Sequence, residues 1–260
     1  MKRALIIIQG LLMAIAAFFM VSLIYIIITN IFVLITGVED ISSEIDGCLE
    51  AMAVMVSIII FYLWYKKYMD GMIEPDKIKS TFTLKNIGIF LALGVGCQLF
   101  FESVLSLIRP LLKTLFDYYD EVISSIFDAD IIIVAVYVII LAPILEELML
   151  RGILFGKLRQ GLPFITANLI QAVVFGLYHW NVIQGIYAFA MGLLLGYVYE
   201  RTGTLLAAIF VHMIINGSGF LILRLKLSWL NIWMMLIIGG VLLLGAIYLF
   251  SRTNELKNKE

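Results

Sequence analysis

The chain has 260 residues, 63% of them hydrophobic and 14% charged, with a mean hydropathy of +1.06 and a formal net charge of -1. Soluble domains carry a roughly even apolar share and about one-quarter charged residues, so a water-soluble globule is excluded. The near-zero net charge gives no electrostatic footing for nucleic acid.

Side chains of this kind need lipid, and a helix crosses the roughly 30 Å hydrocarbon layer in about 20 residues. Apolar runs bounded by charge or turn residues predict eight spans in chain order: Ala4 to Thr36, Ala51 to Tyr65, Ile87 to Ile108, Ile131 to Gly156, Pro163 to Trp180, Gln184 to Tyr199, Leu205 to Leu223 and Trp229 to Phe250. Lys2 and Arg3 precede a first run far longer than the about 7 to 15 residues of a signal-peptide core, which predicts an uncleaved span. The fifth and sixth runs are separated only by the residues around Asn181 and should form a tight hairpin. The expected architecture is all-α, a polytopic helical bundle of about eight transmembrane helices forming one integral membrane domain over 1–260.

With the N-terminus in the cytoplasm, every Lys and Arg except Arg109, Lys113, Arg224 and Lys226 falls on the cytoplasmic side. The opposite side receives the acidic loop Glu39, Asp40, Glu44, Asp46 and Glu50 and the stretch Asp117, Asp120, Glu121, Asp128 and Asp130. The positive-inside rule therefore predicts both termini in the cytoplasm. Leu111 to Val122 mixes Leu, Phe and Tyr with Lys and Asp after Pro110, as an amphipathic surface helix or a solvated loop would. Gly152 and Gly156, and Gly192 and Gly196, have the small-xxx-small spacing of closely packed helices. Cys48 and Cys97 lie far apart and have neither disulfide-framework nor metal spacing.

Ionisable side chains inside apolar segments cost several kcal/mol unless paired or wetted, so each is a functional candidate. Glu102, near Arg109 and the boundary of its run, suits snorkelling or helix pairing. The fourth run reads LAPILEELMLR from Leu141 to Arg151 and places Glu146 and Glu147 together after a long uncharged stretch. On a helix Glu147 and Arg151 share a face and can form a salt bridge, whereas Glu146 points about 100° away. Pro143, just upstream, predicts a kinked or loosened turn beside the pair. A structural ion-pair network would also fit this segment.

The two histidines, His179 in FGLYH and His212 in HMIIN, both fall in later apolar runs, and His212 and Asn216 are four apart on one face. An amide N–H can stabilise a developing oxyanion; an imidazole can orient water, bind a metal or move a proton near neutral pH. At about 1.5 Å per residue, Glu146 lies about 16 Å from Lys157 and His212 about 14 Å from Gly203, a match in level. His179, about 27 Å beyond Gly161 by the same count, does not match, unless its helix starts outside the bilayer, re-enters or tilts strongly.

These residues resemble the intramembrane CAAX-protease and bacteriocin-processing family, also called Abi, CPBP or Rce1-like. Its EExxxR, FxxxH and HxxxN motifs are matched in order by Glu146, Glu147 and Arg151, by Phe175 and His179, and by His212 and Asn216. The segment 131–223 is similar to the family's core, and the helices of 1–122 lie outside the match. The family pattern is departed from at Leu150, where a Phe is usual, and at Ala208, where a Pro is usual.

The resemblance implies a membrane-embedded catalytic cavity, residence in a bacterial cytoplasmic membrane, and hydrolysis of a peptide bond in a membrane-associated peptide or protein. In that picture Glu146 activates water, His179 and His212 position it or hold a metal, Asn216 supports the oxyanion and Arg151 braces Glu147. If a metal is used, His179, His212 and Glu146 would be a zinc set; the spacing is not HExxH, and the family leans toward a glutamate-dependent mechanism. The same resemblance accommodates a non-enzymatic role, in bacteriocin self-immunity or with a membrane signalling partner such as a sensor kinase. A proton-coupled transporter is a third reading, weakened by the lack of an internal repeat.

Overall fold

A computed structural model describes residues 2–68, 75–126, 130–225 and 231–253. Asp128, Lys226, Trp229, Lys257 and Lys259, on which the charge and span readings also drew, lie outside the described residues. Every regular element among the described residues is helical: α1 (Lys2–Thr36), α2 (Ser43–Tyr68), α3 (Pro75–Thr81), α4 (Leu84–Ile108), α5 (Lys113–Ile126), α6 (Ile131–Arg159), α7 (Phe164–Tyr178), α8 (Val182–Thr202), α9 (Leu205–Arg224) and α10 (Ile232–Arg252). Seven of them, α1, α2, α4, α6, α8, α9 and α10, are long and apolar enough to cross a membrane, and α7 is a shorter apolar helix of 15 residues. The protein is an all-helical integral membrane protein.

The chain gathers into two compact units, Met1–Asp70 with Glu121–Ala167, and Gly71–Asp120 with Asn168–Glu260. In the first, α1, α2 and α6 pack together. Gly10 lets α1 approach Leu154 and Leu158, where an added Cβ would lie 3.2 to 3.3 Å from their methyls. Gly152 of α6 meets the Tyr65 ring of α2, so this member of the predicted glycine pairs is a packing position. Tyr25 hydrogen-bonds Asp46, and the Tyr137 hydroxyl donates to Glu50 at 2.8 Å, tying acidic side chains of α2 to α1 and α6.

In the second unit α4 lies against α9 and α10 at positions where only glycine fits. A Cβ on Gly96 would sit 2.6 Å from the Leu243 backbone nitrogen, and one on Gly239 would sit 2.5 Å from that of Phe100. Phe90 packs edge-on with Phe82, Phe210 and Phe250 beside this crossing. Gly176 and Gly185 face each other's carbonyls, which lets α7 and α8 close into the predicted hairpin. Further along, Gly192 rests on Ala172 and Gly196 on the Asn168 side chain, as their spacing predicts. The segment after Pro110 contains a helix: α5 has the amphipathic pattern, with Asp117 and Tyr118 exposed and Phe116 buried.

Candidate active site

The Glu146–Glu147–Arg151 group sits in a helix that departs from α geometry. Within α6, Tyr137–Leu141 and Leu148–Phe155 are wound as π-helix, and only Ala142–Glu147 between them is regular α. Pro143 accounts for the first departure: it has no N–H to give the preceding turn, and the Ala142 N–H reaches Tyr137 O, five residues back. The widened turns frame the two glutamates; single π-turns often mark functional sites. The sequence showed the proline; the second π segment carries no residue that announces it.

Arg151 Nη1 donates to Glu147 Oε1 at 2.7 Å, and neither side chain has any solvent exposure. Arg151 also feels the charge of Glu146, which is 8% exposed. The arginine thus pairs directly with one carboxylate, while the other occupies a neighbouring face of the same short α segment. A carboxylate in so dry a place has strong electrostatic leverage on anything that approaches it, since the local dielectric is low.

The histidines belong to the second unit and converge on one ring. Phe175 lies 5.1 Å from the His179 ring and 5.9 Å from the His212 ring, centroid to centroid. His179 and His212 therefore pack on the same side chain, whatever their unequal distances from their helix starts. The phenylalanine of FxxxH is a buried spacer on which both imidazoles pack. His179 Nδ1 lies 3.0 Å from the Phe175 carbonyl, which can only accept, so Nδ1 carries the proton in the neutral ring and Nε2 keeps the lone pair. His212 is buried, and Asn216 follows it one turn later, half-buried on the same face.

Two features hold this region, of which the sequence signalled only the turn. Gln171, one turn before Phe175, donates through Nε2 to the carbonyls of Asn168 and Gly192 and to Asn168 Oδ1, while Asn168 Nδ2 reaches Leu193 O at 3.0 Å. Amide side chains thus lock α7 to α8. After His179 the chain turns at Trp180, whose φ of 52° is left-handed, and Asn181 caps α8 by accepting from the N–H groups of Ile183 and Gln184. A bulky residue in that conformation is strained, and such strain persists where the surroundings fix it. Within either unit, among the described residues, no three His, Cys, Asp or Glu form a set that could hold a metal ion.

The family description "Type II CAAX prenyl endopeptidase Rce1-like" matches residues 128–218. The chain is 36% identical over 109 residues to the "Putative membrane peptidase YdiL" of Bacillus subtilis (strain 168), which covers 40% of this chain and 44% of that protein. It is 31% identical over 87 residues to the "Membrane-embedded CAAX protease MroQ" of Staphylococcus aureus (strain USA300), covering 31% of this chain and 35% of the relative. The chain therefore matches less than half the length of each of these curated relatives. No solved structure matches it. The family that the three motifs resemble is the one that residues 128–218 match, an Rce1-like domain of the CAAX-protease type.

Proposed function

We propose that this chain is an intramembrane endopeptidase that hydrolyses a peptide bond of a membrane-associated peptide or protein with a glutamate-activated water. The observation that carries the reading is the arrangement in α6: Arg151 holds Glu147 at 2.7 Å, and the adjacent Glu146, slightly more exposed on a neighbouring face of the same turn, is the carboxylate we assign to take a proton from water. His179, with its Nδ1 proton on the Phe175 carbonyl, keeps an Nε2 lone pair that can orient a water, and His212 packs on the same phenylalanine. Asn216 supplies a side-chain N–H to the tetrahedral oxyanion. No step is assigned to a metal. If zinc takes part, His179 would ligate through Nε2, because ligating histidines donate their other N–H to a carbonyl or carboxylate.

The test uses purified protein in liposomes and an internally quenched, farnesylated peptide ending in a CAAX sequence. Glu146→Gln keeps the volume and removes the base, and should lower kcat by at least about 100-fold. Unchanged turnover in Glu146→Gln would overturn the glutamate mechanism. A cellular phenotype that persists in Glu146→Gln cells, with normal protein levels, would point instead to the non-enzymatic role.

A further inference from the structure

Outside the three motifs and outside the matched segment for two of its members, the second unit holds a partly buried polar chain centred on the buried Gln98. The Tyr187 hydroxyl donates to Gln98 Oε1 at 2.6 Å, and Gln98 Nε2 donates to Glu102 Oε2 at 3.5 Å. Gln98 is 7% exposed, and Phe101 packs edge-on against Tyr187, 6.0 Å between centroids. Gln98 and Glu102 are one turn apart on α4, and Tyr187 comes from α8. The chain therefore holds the buried amide from both ends, and a connected network of this kind favours a single arrangement of its members.

What that amide touches gives it a further role. Gly219 of α9 rests directly on it, so close that an added Cβ would lie 3.0 to 3.3 Å from the amide nitrogen, carbon and oxygen. His212, Asn216 and Gly219 are spaced four and three apart, which puts them on a single stripe of α9. The face of α9 that carries the imidazole and the carboxamide is thus the face whose next turn bears on Gln98. Because packed helices tolerate little rotation, an immobile amide under Gly219 sets how that stripe is turned.

We propose that Gln98, clamped between Tyr187 and Glu102, is a positioning residue that sets the rotation of α9 and thereby the aim of His212 and Asn216. The inference builds on the endopeptidase reading, but its central measurement does not need turnover. The protein has two histidines, so ¹⁵N-histidine labelling gives two sets of ring signals, assigned with His179→Gln and His212→Gln. Tyr187→Phe removes only the hydroxyl, and Gln98→Leu removes the amide at similar volume; both are expected to move the His212 ring signals and leave those of His179 in place. On the farnesylated CAAX peptide both should lower kcat by about 10- to 100-fold with KM within about twofold, the signature of misaligned groups. His212 signals that stay fixed in both variants overturn the proposal. Signals of both histidines moving together overturn it as well, in favour of a general loosening. If the wild type cleaves no peptide, the endopeptidase reading falls, and the histidine signals still decide this one.

Discussion

Glu147 and Arg151 are each inaccessible to solvent, so their worth lies in being paired. Arg151→Met should destabilise the protein by about 3 to 5 kcal/mol, because it strands a buried carboxylate, while Glu147→Gln with Arg151→Met should recover much of that loss. Thermal unfolding in detergent measures both, and equal stability of the single and double variants would contradict the pairing. Tyr119, on α5, responds to burial instead: desolvation, helped by the charges of Glu102 and Asp120, pushes its phenol up to about 12 from the usual 10.0. Because the raised value favours the neutral phenol, its contribution to stability is complete below pH about 10 and is lost as the pH climbs toward about 12. The ultraviolet titration of wild type minus Tyr119→Phe should show one phenol ionising in that late window. Nearby, Arg109 is held by Asp120 at 2.7 and 3.0 Å and stacks over Phe116, while Glu102, which also feels the Arg109 charge, accepts from Gln98 one turn earlier on its own helix.

At the scale of elements, glycines sort into those that helices touch and those they do not. Gly88 and Gly245 have nothing within 4 Å of a built Cβ, and alanine there should stabilise the protein by up to about 1 kcal/mol. Gly96→Ala and Gly239→Ala would drive a methyl into backbone of the facing helix and should cost about 1 to 3 kcal/mol. Unfolding of the four variants in one detergent checks the contrast. Helix α6 shows why such distinctions escape a periodicity argument. Its apolar run was readable from Ile131 onward, but π winding over Leu148–Phe155 depends on what the helix packs against, and a one-dimensional pattern does not record it. The hairpin shows the opposite: the few residues around Asn181 announced the turn, and Gly176 and Gly185 complete it by their close approach.

At the scale of the whole molecule, hydropathy made the helical membrane class legible because lipid tolerates few alternatives to a helix. The motif residues were legible because ionisable groups are rare in such segments. Less legible were the Gln98 and Gln171 amides, which look unremarkable among apolar neighbours until a partner helix is known. The charge distribution predicts that cysteines placed at Arg3 and Arg252, in a background lacking Cys48 and Cys97, are both protected from an impermeant maleimide added outside cells. Labelling at either site from outside would refute that orientation. The ion pair in α6 bears on how the chain enters the membrane at all. A lone acid or arginine at mid-helix costs about 2.5 to 3.5 kcal/mol during insertion. Glu147 and Arg151, one turn apart on the same helix, can cancel each other as soon as that helix forms, before later helices have been synthesised. The nascent segment then partitions into lipid with that pair already neutralised, so the brace that shapes the mature protein also serves as a passport for its own biogenesis.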